Sequence, residues 1–174
     1  VDRPTEAEYA PFYGRYLALV PEDGLLGVLE GQPAWLRDRL AGVSAERERH
    51  RYAPGKWSVR QVVGHMGDVE RVLGHRAFCI SRGETAPLPG FDENAYVARS
   101  SYADQPLTRL TDDFARAREA NLAVFRQLDD EAWRRQGVAN GSPVSVRALG
   151  FILAGHARHH VGVLESRYGI GAPR

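Results

Sequence analysis

Ser58-Val-Arg-Gln61 is a capping box: the Ser58 hydroxyl can accept an orphan backbone N–H while the Gln61 side chain reaches back to the cap. Behind it Val62, Val69, Val72, Leu73 and Phe78 supply apolar positions, and Gly83 offers a stop. The pattern predicts a helix from about Val59 to about Ser81, ~35 Å long. Trp57, just ahead of the cap, can staple its entry. In a chain of 174 residues the other elements must lie along this rod.

Three further segments read as its partners. From Glu22, Leu25, Leu26, Leu29, Leu36 and Leu40 recur at helical intervals, with Pro33 expected to kink or divide the run. Leu107, Leu110, Phe114, Leu122 and Phe125 form the stripe of a helix from about Pro106 to Leu128. A last helix starts near Ser145 and ends before Gly169, with Leu149, Ile152, Leu153, Val163 and Leu164 facing inward. Its opening, Val144-Ser-Val-Arg147, repeats the pattern of Trp57-Ser-Val-Arg60, and both serines are natural N-caps.

Residues 83–104 read as loop, punctuated by Pro87, Pro89 and Gly90. So long a loop has a use as a crossover, carrying the chain back ~35 Å so that the next helix runs parallel to the last. Residues 129–141 read as a connector, with Trp133 plugging one end of the core, and residues 1–21 as an aromatic-rich arm laid over the body. No strand is expected. The fold class is all-α: residues 1–174 form one four-helix bundle, up-down-down-up, with the crossover between the second and third helices.

Composition narrows the function. Hydrophobic residues make up 43% and charged residues 26%, as in globular domains. Twenty-three basic and 22 acidic residues leave a net charge of +1, which gives no general case for nucleic acid or an anionic membrane. No apolar stretch approaches the ~18–20 residues that cross a bilayer. The opening residues carry no signal pattern, so the expected location is cytoplasmic. The single cysteine, Cys79, excludes an intramolecular disulfide and a cysteine metal cluster.

The chemistry lies in the six histidines. His156 and His160 are spaced one helical turn apart, on the face that carries Leu149, Ile152, Leu153 and Val163. In a chain with six histidines the spacing alone is a weak signal, and one inward histidine is usually a satisfied core residue. Two adjacent inward ones need partners for both ring nitrogens, and a metal satisfies two at once. His65 occupies the core face of the 59–81 helix. It lies ~10 Å from that helix's start, while His156 and His160 lie ~16 and ~22 Å from theirs. Antiparallel packing of the two helices brings these heights within a few ångströms of overlap. Gly64 and Gly155 immediately precede His65 and His156, which suits close helix approach or room for a ligand.

These features resemble the DinB / YfiT-like superfamily of metal-binding four-helix bundles. The carriers are Ala53-Pro-Gly-Lys-Trp-Ser-Val-Arg-Gln61, Gly64-His65, Pro89-Gly-Phe-Asp-Glu-Asn-Ala-Tyr96, Asn140-Gly-Ser142 and Gly155-His-Ala-Arg-His-His160. The resemblance implies a divalent metal, zinc or nickel, on His65, His156 and His160. It also implies thiol-dependent S-transfer, joining bacillithiol or mycothiol to a small electrophile. Partners are then a small-molecule thiol and an electrophile, and a homodimer is entertained; a stress-response role belongs to the alternative of a metal-binding bundle without turnover.

Three neutral histidines leave a coordination position open, as catalytic zinc sites do. The residues themselves allow either a metal-activated thiolate or a metal-activated water, so a hydrolase and a non-catalytic metal-binding bundle remain as alternatives. Ala157 stands where the H-E-x-x-H proteases carry their base. Asp68 is a candidate to hold a ligand histidine or a metal water, against a surface pairing with Arg71. Cys79, ~21 Å along the helix from His65, is expected as a small buried core residue. An inward Arg76 is expected to pair with a crossover acid, ahead of greeting an anionic substrate. Asp92, Glu93, Asn94 and Tyr96 are candidates to fold over the metal mouth, and Trp35 and Trp57 to pack as core or end plugs.

Overall fold

The computed structural model describes residues 1–21 and 23–171. In chain order its helices are α1 (Gly14–Leu17), α2 (Leu25–Leu40), α3 (Ala45–Arg49), α4 (Val59–Ser81), α5 (Glu93–Arg99), α6 (Leu107–Phe125), α7 (Asp130–Arg134) and α8 (Val146–Tyr168). The long ones are α2, α4, α6 and α8. A hairpin of β1 (Gln136–Ala139) and β2 (Ser142–Ser145) lies between α7 and α8. Among the described residues, no helix is long and apolar enough to cross a membrane.

The caps work as their residue types require. Ser58 and Gln61 form the reciprocal box at the head of α4. At the head of α8 the cap is Ser145, whose side chain accepts from Ala148 N. Gly169 closes α8 in the left-handed conformation at φ 62°, where a side chain would be strained.

Three expectations are corrected. Residues 129–141 do not form a strand-free connector, because Asn140 and Gly141 both adopt positive φ and fold Gln136–Ala139 back on Ser142–Ser145. The 83–104 segment is not a plain loop. It holds α5, capped by Asp92, then a short 3-10 turn at Tyr102–Asp104, and Leu88 pairs with Val138 and Asn140 through backbone hydrogen bonds. Phe78 is not part of the buried stripe but is 45% exposed.

Pro33 does not divide α2, which is continuous. A proline at position 33 has no N–H for the Leu29 carbonyl one turn earlier. That carbonyl accepts instead from Arg118 Nη1 at 3.1 Å. Arg118 is fully buried. It grips Glu70 of α4 with two hydrogen bonds, at 2.9 and 2.7 Å, and donates to Gln32 Oε1 at 2.6 Å. It also reaches Leu153 O of α8 at 3.4 Å, while Gln32 donates to Ala154 O and Asn121 holds Glu70 from α6. One buried polar group thus touches all four long helices.

This layer divides the apolar core. On one side pack Leu25, Leu29, Leu73, Phe125, Leu149 and Trp133; on the other Leu36, Met66, Leu110, Phe114, Val161 and Leu164. Trp35 and Trp57 are only partly buried against the second cluster. Along α4, Arg60 meets Ala103 O, Glu70 meets Arg118 and Asn121, and Trp57 O accepts from Tyr168 at the far end of α8. The arm of residues 1–20 forms two 3-10 turns and α1. Its Glu8 is buried and takes two hydrogen bonds from Arg147, and Arg158 and Arg3 donate to the carbonyls of Leu19, Leu17 and Val20.

Removing one partner of a buried ion pair leaves the other charge uncompensated, at a cost of roughly 3–5 kcal/mol. Arg118→Ala is therefore expected to lower the unfolding free energy by about that amount in urea titrations. Arg37→Ala, which breaks a half-exposed pair with Asp112, should leave it nearly unchanged. Equal effects of the two substitutions would contradict the role given to the buried pair.

Candidate metal centre

α4 and α8 bring three of the six histidines together. One ring nitrogen each from His65, His156 and His160 lies within 4.8 Å of the others, and this group could hold a metal ion. His65 Nε2 and His156 Nε2 face each other at 3.1 Å. The ring centroid of His160 stands 4.9 Å from that of His65 and 4.4 Å from that of His156. Two nitrogens on one tetrahedral zinc sit about 3.3 Å apart, so the spacing suits such an ion. The remaining histidines are elsewhere. His159 stacks between Tyr16 and His160, His50 lies against Tyr168, and His75 sits 3.4 Å from the Cys79 sulfur.

The donor set is ready for a cation. His65 and His156 are buried, and His160 is partly so. Burial holds His65 down to about 4, helped by His159. Burial likewise pushes His156 and His160 well below the ordinary histidine range, and the neighbouring imidazoles add to it. All three are neutral at pH 7, so each presents a lone pair. Facing Nε2 atoms can share one proton at most, and the buried Nδ1 atoms of His65 and His160 have no hydrogen-bond partner among the described residues. The facing Nε2 lone pairs of His65 and His156 are what a divalent ion would relieve.

The glycines before the histidines serve close approach. A Cβ at Gly155 would lie 2.0 Å from the Tyr16 backbone oxygen, and one at Gly64 would strike the Tyr102 ring at 2.4 Å. Gly155 thus lets the arm press onto α8, where Tyr16 packs edge-on to His156 at 5.5 Å. Trp57 lies over His65 at 4.8 Å between ring centroids.

A cavity of about 320 Å³ opens on the cluster. His65 and His156 form its base, Val69, Leu73 and Ile152 its apolar wall, and Phe12, Tyr13 and Tyr16 of the arm its roof. Ala10, Arg76, Phe91, Glu93 and Asn140 complete it. Of the crossover acids, Glu93 reaches the cavity. Asp92 instead caps α5, and Tyr96 packs on Phe91. Asp68 accepts a hydrogen bond from the Tyr102 hydroxyl, and among the described residues no hydrogen bond joins it to Arg71 or to His65 Nδ1. Cys79 is not a core residue: it is only partly buried, at the solvent side of α4 beside His75. Arg76 is buried but pairs with no crossover acid among the described residues; it donates to Pro89 O at 2.6 Å.

The roof and the buried pair escape a search by motif. Tyr16 and its neighbours show only as aromatic richness ahead of Pro21. Arg118 sits at the four-residue spacing between Phe114 and Leu122, and Glu70 at that spacing from Met66, so a charge placed within an apolar stripe was the available signal.

The sequence profile of the DinB superfamily matches residues 29–164. The chain belongs to that superfamily. Among curated proteins none matches the sequence. Among solved structures the chain is similar to YfiT from Bacillus subtilis, at 20% identity and a TM-score of 0.74, over 97% of this chain and 94% of that one. YfiT is described as a probable metal-dependent hydrolase with an unusual four-helix bundle topology. At this identity the likeness carries the fold.

Two outcomes test the site. In chelator-treated protein, His65 is neutral when folded down to about pH 4 but protonates near 6.5 when unfolded. Its contribution is full above pH 6.5 and is lost as pH falls toward 4. The unfolding temperature should drop across that window, and His65→Gln should flatten the slope. Gly155→Ala should displace the arm, read as faster proteolysis within residues 9–20; unchanged cleavage would contradict the close packing.

Proposed function

We propose that the chain is a metal-dependent hydrolase whose ion, zinc or nickel, is held by His65, His156 and His160. The carrying observation is the convergence of three neutral imidazoles, two of which line a cavity, with no carboxylate or thiolate joining the group as a fourth member among the described residues. Imidazole donors suit both metals. A divalent ion held there would supply Lewis acidity, lowering the pKa of a water and polarising an acyl oxygen.

The chain's own residues would do the rest. Val69, Leu73 and Ile152 exclude bulk water from the cavity wall. Burial raises the Tyr16 phenol above its ordinary value, with Glu93 adding to the effect against the pull of Arg15. Tyr16 therefore stays protonated and can donate to a substrate oxygen. Glu93, exposed at the mouth, can take a proton and return it to a leaving group.

A bundle run up-down-down-up would set α4 antiparallel to α8, as the histidine meeting requires. Residues 83–104 would then be the crossover that lets α6 follow α4. The pairings of Arg60 with Ala103 and of Glu70 with Asn121 support that order. Thiol transfer, placed first by the sequence resemblance, draws no support from the matched structure, whose description is that of a hydrolase.

Metal analysis followed by hydrolysis assays on small esters and amides, with and without added thiol, tests the reading. The expected result is metal-dependent hydrolysis that needs no thiol. His160→Ala should lose the ion and at least about a hundredfold in rate while its circular dichroism stays helical, because loss of an outer partner alone costs about 10–100-fold. Turnover only with a thiol, or equal turnover by the metal-free protein, would overturn it.

A further inference from the structure

Among the described residues three arginines are buried: Arg60, Arg76 and Arg118. Two of them hold carboxylates, Arg60 with Glu48 and Arg118 with Glu70. Arg76, 4% exposed, makes no ion pair among the described residues. Its one hydrogen bond there runs from Nη2 to Pro89 O. A buried guanidinium without an anion is costly, since its charge has lost water and gained no partner. Its remaining N–H groups are not among the sealed, unsatisfied polar atoms, which among the described residues are two histidine nitrogens. They are therefore not sealed: Arg76 lines a second cavity beside Val72, Leu88 and Tyr96, and it also lines the one above His65 and His156, which is the one that reaches the histidines.

We infer that the cavity takes a substrate bearing a carboxylate, and that Arg76 is the residue that reads it. The inference rests on the hydrolase reading for what happens next, but not for binding. A guanidinium edge matches the two oxygens of a carboxylate with parallel N–H donors. Pro89 O fixes the other side of the guanidinium, so the group is oriented before the ligand arrives. The rest of the lining sets the body of the ligand. Phe12, Tyr13, Tyr16 and Phe91 offer ring faces, and Val69, Leu73 and Ile152 offer aliphatic surface. The volume lies at the small end of the ~300–1,000 Å³ usual for ligand sites. This describes a small aryl or acyl chain with an acid at one end and its reactive bond toward the histidines. Glu93 is the other charged group on the lining, and it would repel a carboxylate from the mouth and favour the Arg76 side.

The test is a binding comparison of 3-phenylpropionate with 3-phenylpropionamide by calorimetry, on metal-free and zinc-loaded full-length protein. The two probes differ in charge and little in shape. The acid should bind at least about tenfold more tightly than the amide in both forms, as a charge-assisted pair allows. Arg76→Gln should erase that preference, and Arg76→Lys should restore part of it. Equal affinity of acid and amide for the unmodified protein would overturn the inference without any variant. So would a preference that appears only with zinc and survives Arg76→Gln, because the ion would then be reading the acid. The two readings fail separately. A preserved acid preference in a protein that hydrolyses nothing leaves the Arg76 subsite standing, whereas metal-dependent hydrolysis of a carboxylate-bearing ester that is indifferent to Arg76→Gln sinks the subsite alone.

Discussion

The buried pair of Arg118 and Glu70 is the constraint around which the bundle is arranged. Its hydrogen bonds reach α2 through Leu29 and Gln32, and α8 through Leu153, while Asn121 steadies Glu70 from α6. An arginine sealed from water must have its donors met, and only one rotational setting of four helices meets these. Apolar packing alone would tolerate small slides of one helix on another; this layer does not. The same layer explains why a proline is tolerated inside α2, since the carbonyl it strands is one that Arg118 uses.

The histidine cluster is adjacent to this layer in sequence and in space. Leu153 and Ala154, whose carbonyls receive Arg118 and Gln32, precede His156 within one turn of α8. Glu70 follows His65 on α4. Fixing α8 against α4 at the ion pair therefore fixes the height at which the imidazoles meet. The buried positive charge of Arg118 also works, after burial and the other histidines, to keep His156 neutral. The arm completes the site from outside: Glu8 anchors it to Arg147, and Gly155 lets Tyr16 close over His156.

Much of this was legible in the residues. Ser58 with Gln61 and Ser145 marked two helix starts, and helical spacing put His65, His156 and His160 on inward faces at compatible heights. What was missed has physical causes. The hairpin has strands of four residues, with Pro143 in one of them, so alternation was too short to read; the Asn140-Gly141 turn was its signal. Arg118 and Glu70 look like solvated charges until their partners on other helices are known. Tyr16 reaches the site through tertiary packing of α1 on α8, which no local pattern encodes. Phe78 lies on the face of α4 away from Leu73, Ala77 and Ile80, which stay buried to the helix end, and Cys79 is only partly buried beside it, so an apolar type did not mean an inward position.

The central claim is that His65, His156 and His160 together hold one catalytic ion. X-ray absorption at the zinc edge of the loaded protein tests it most directly. The account predicts three imidazole nitrogens at about 2.0–2.1 Å, with oxygen from solvent filling the rest of the shell and no sulfur. Two or fewer imidazoles, or a sulfur scatterer, would contradict it.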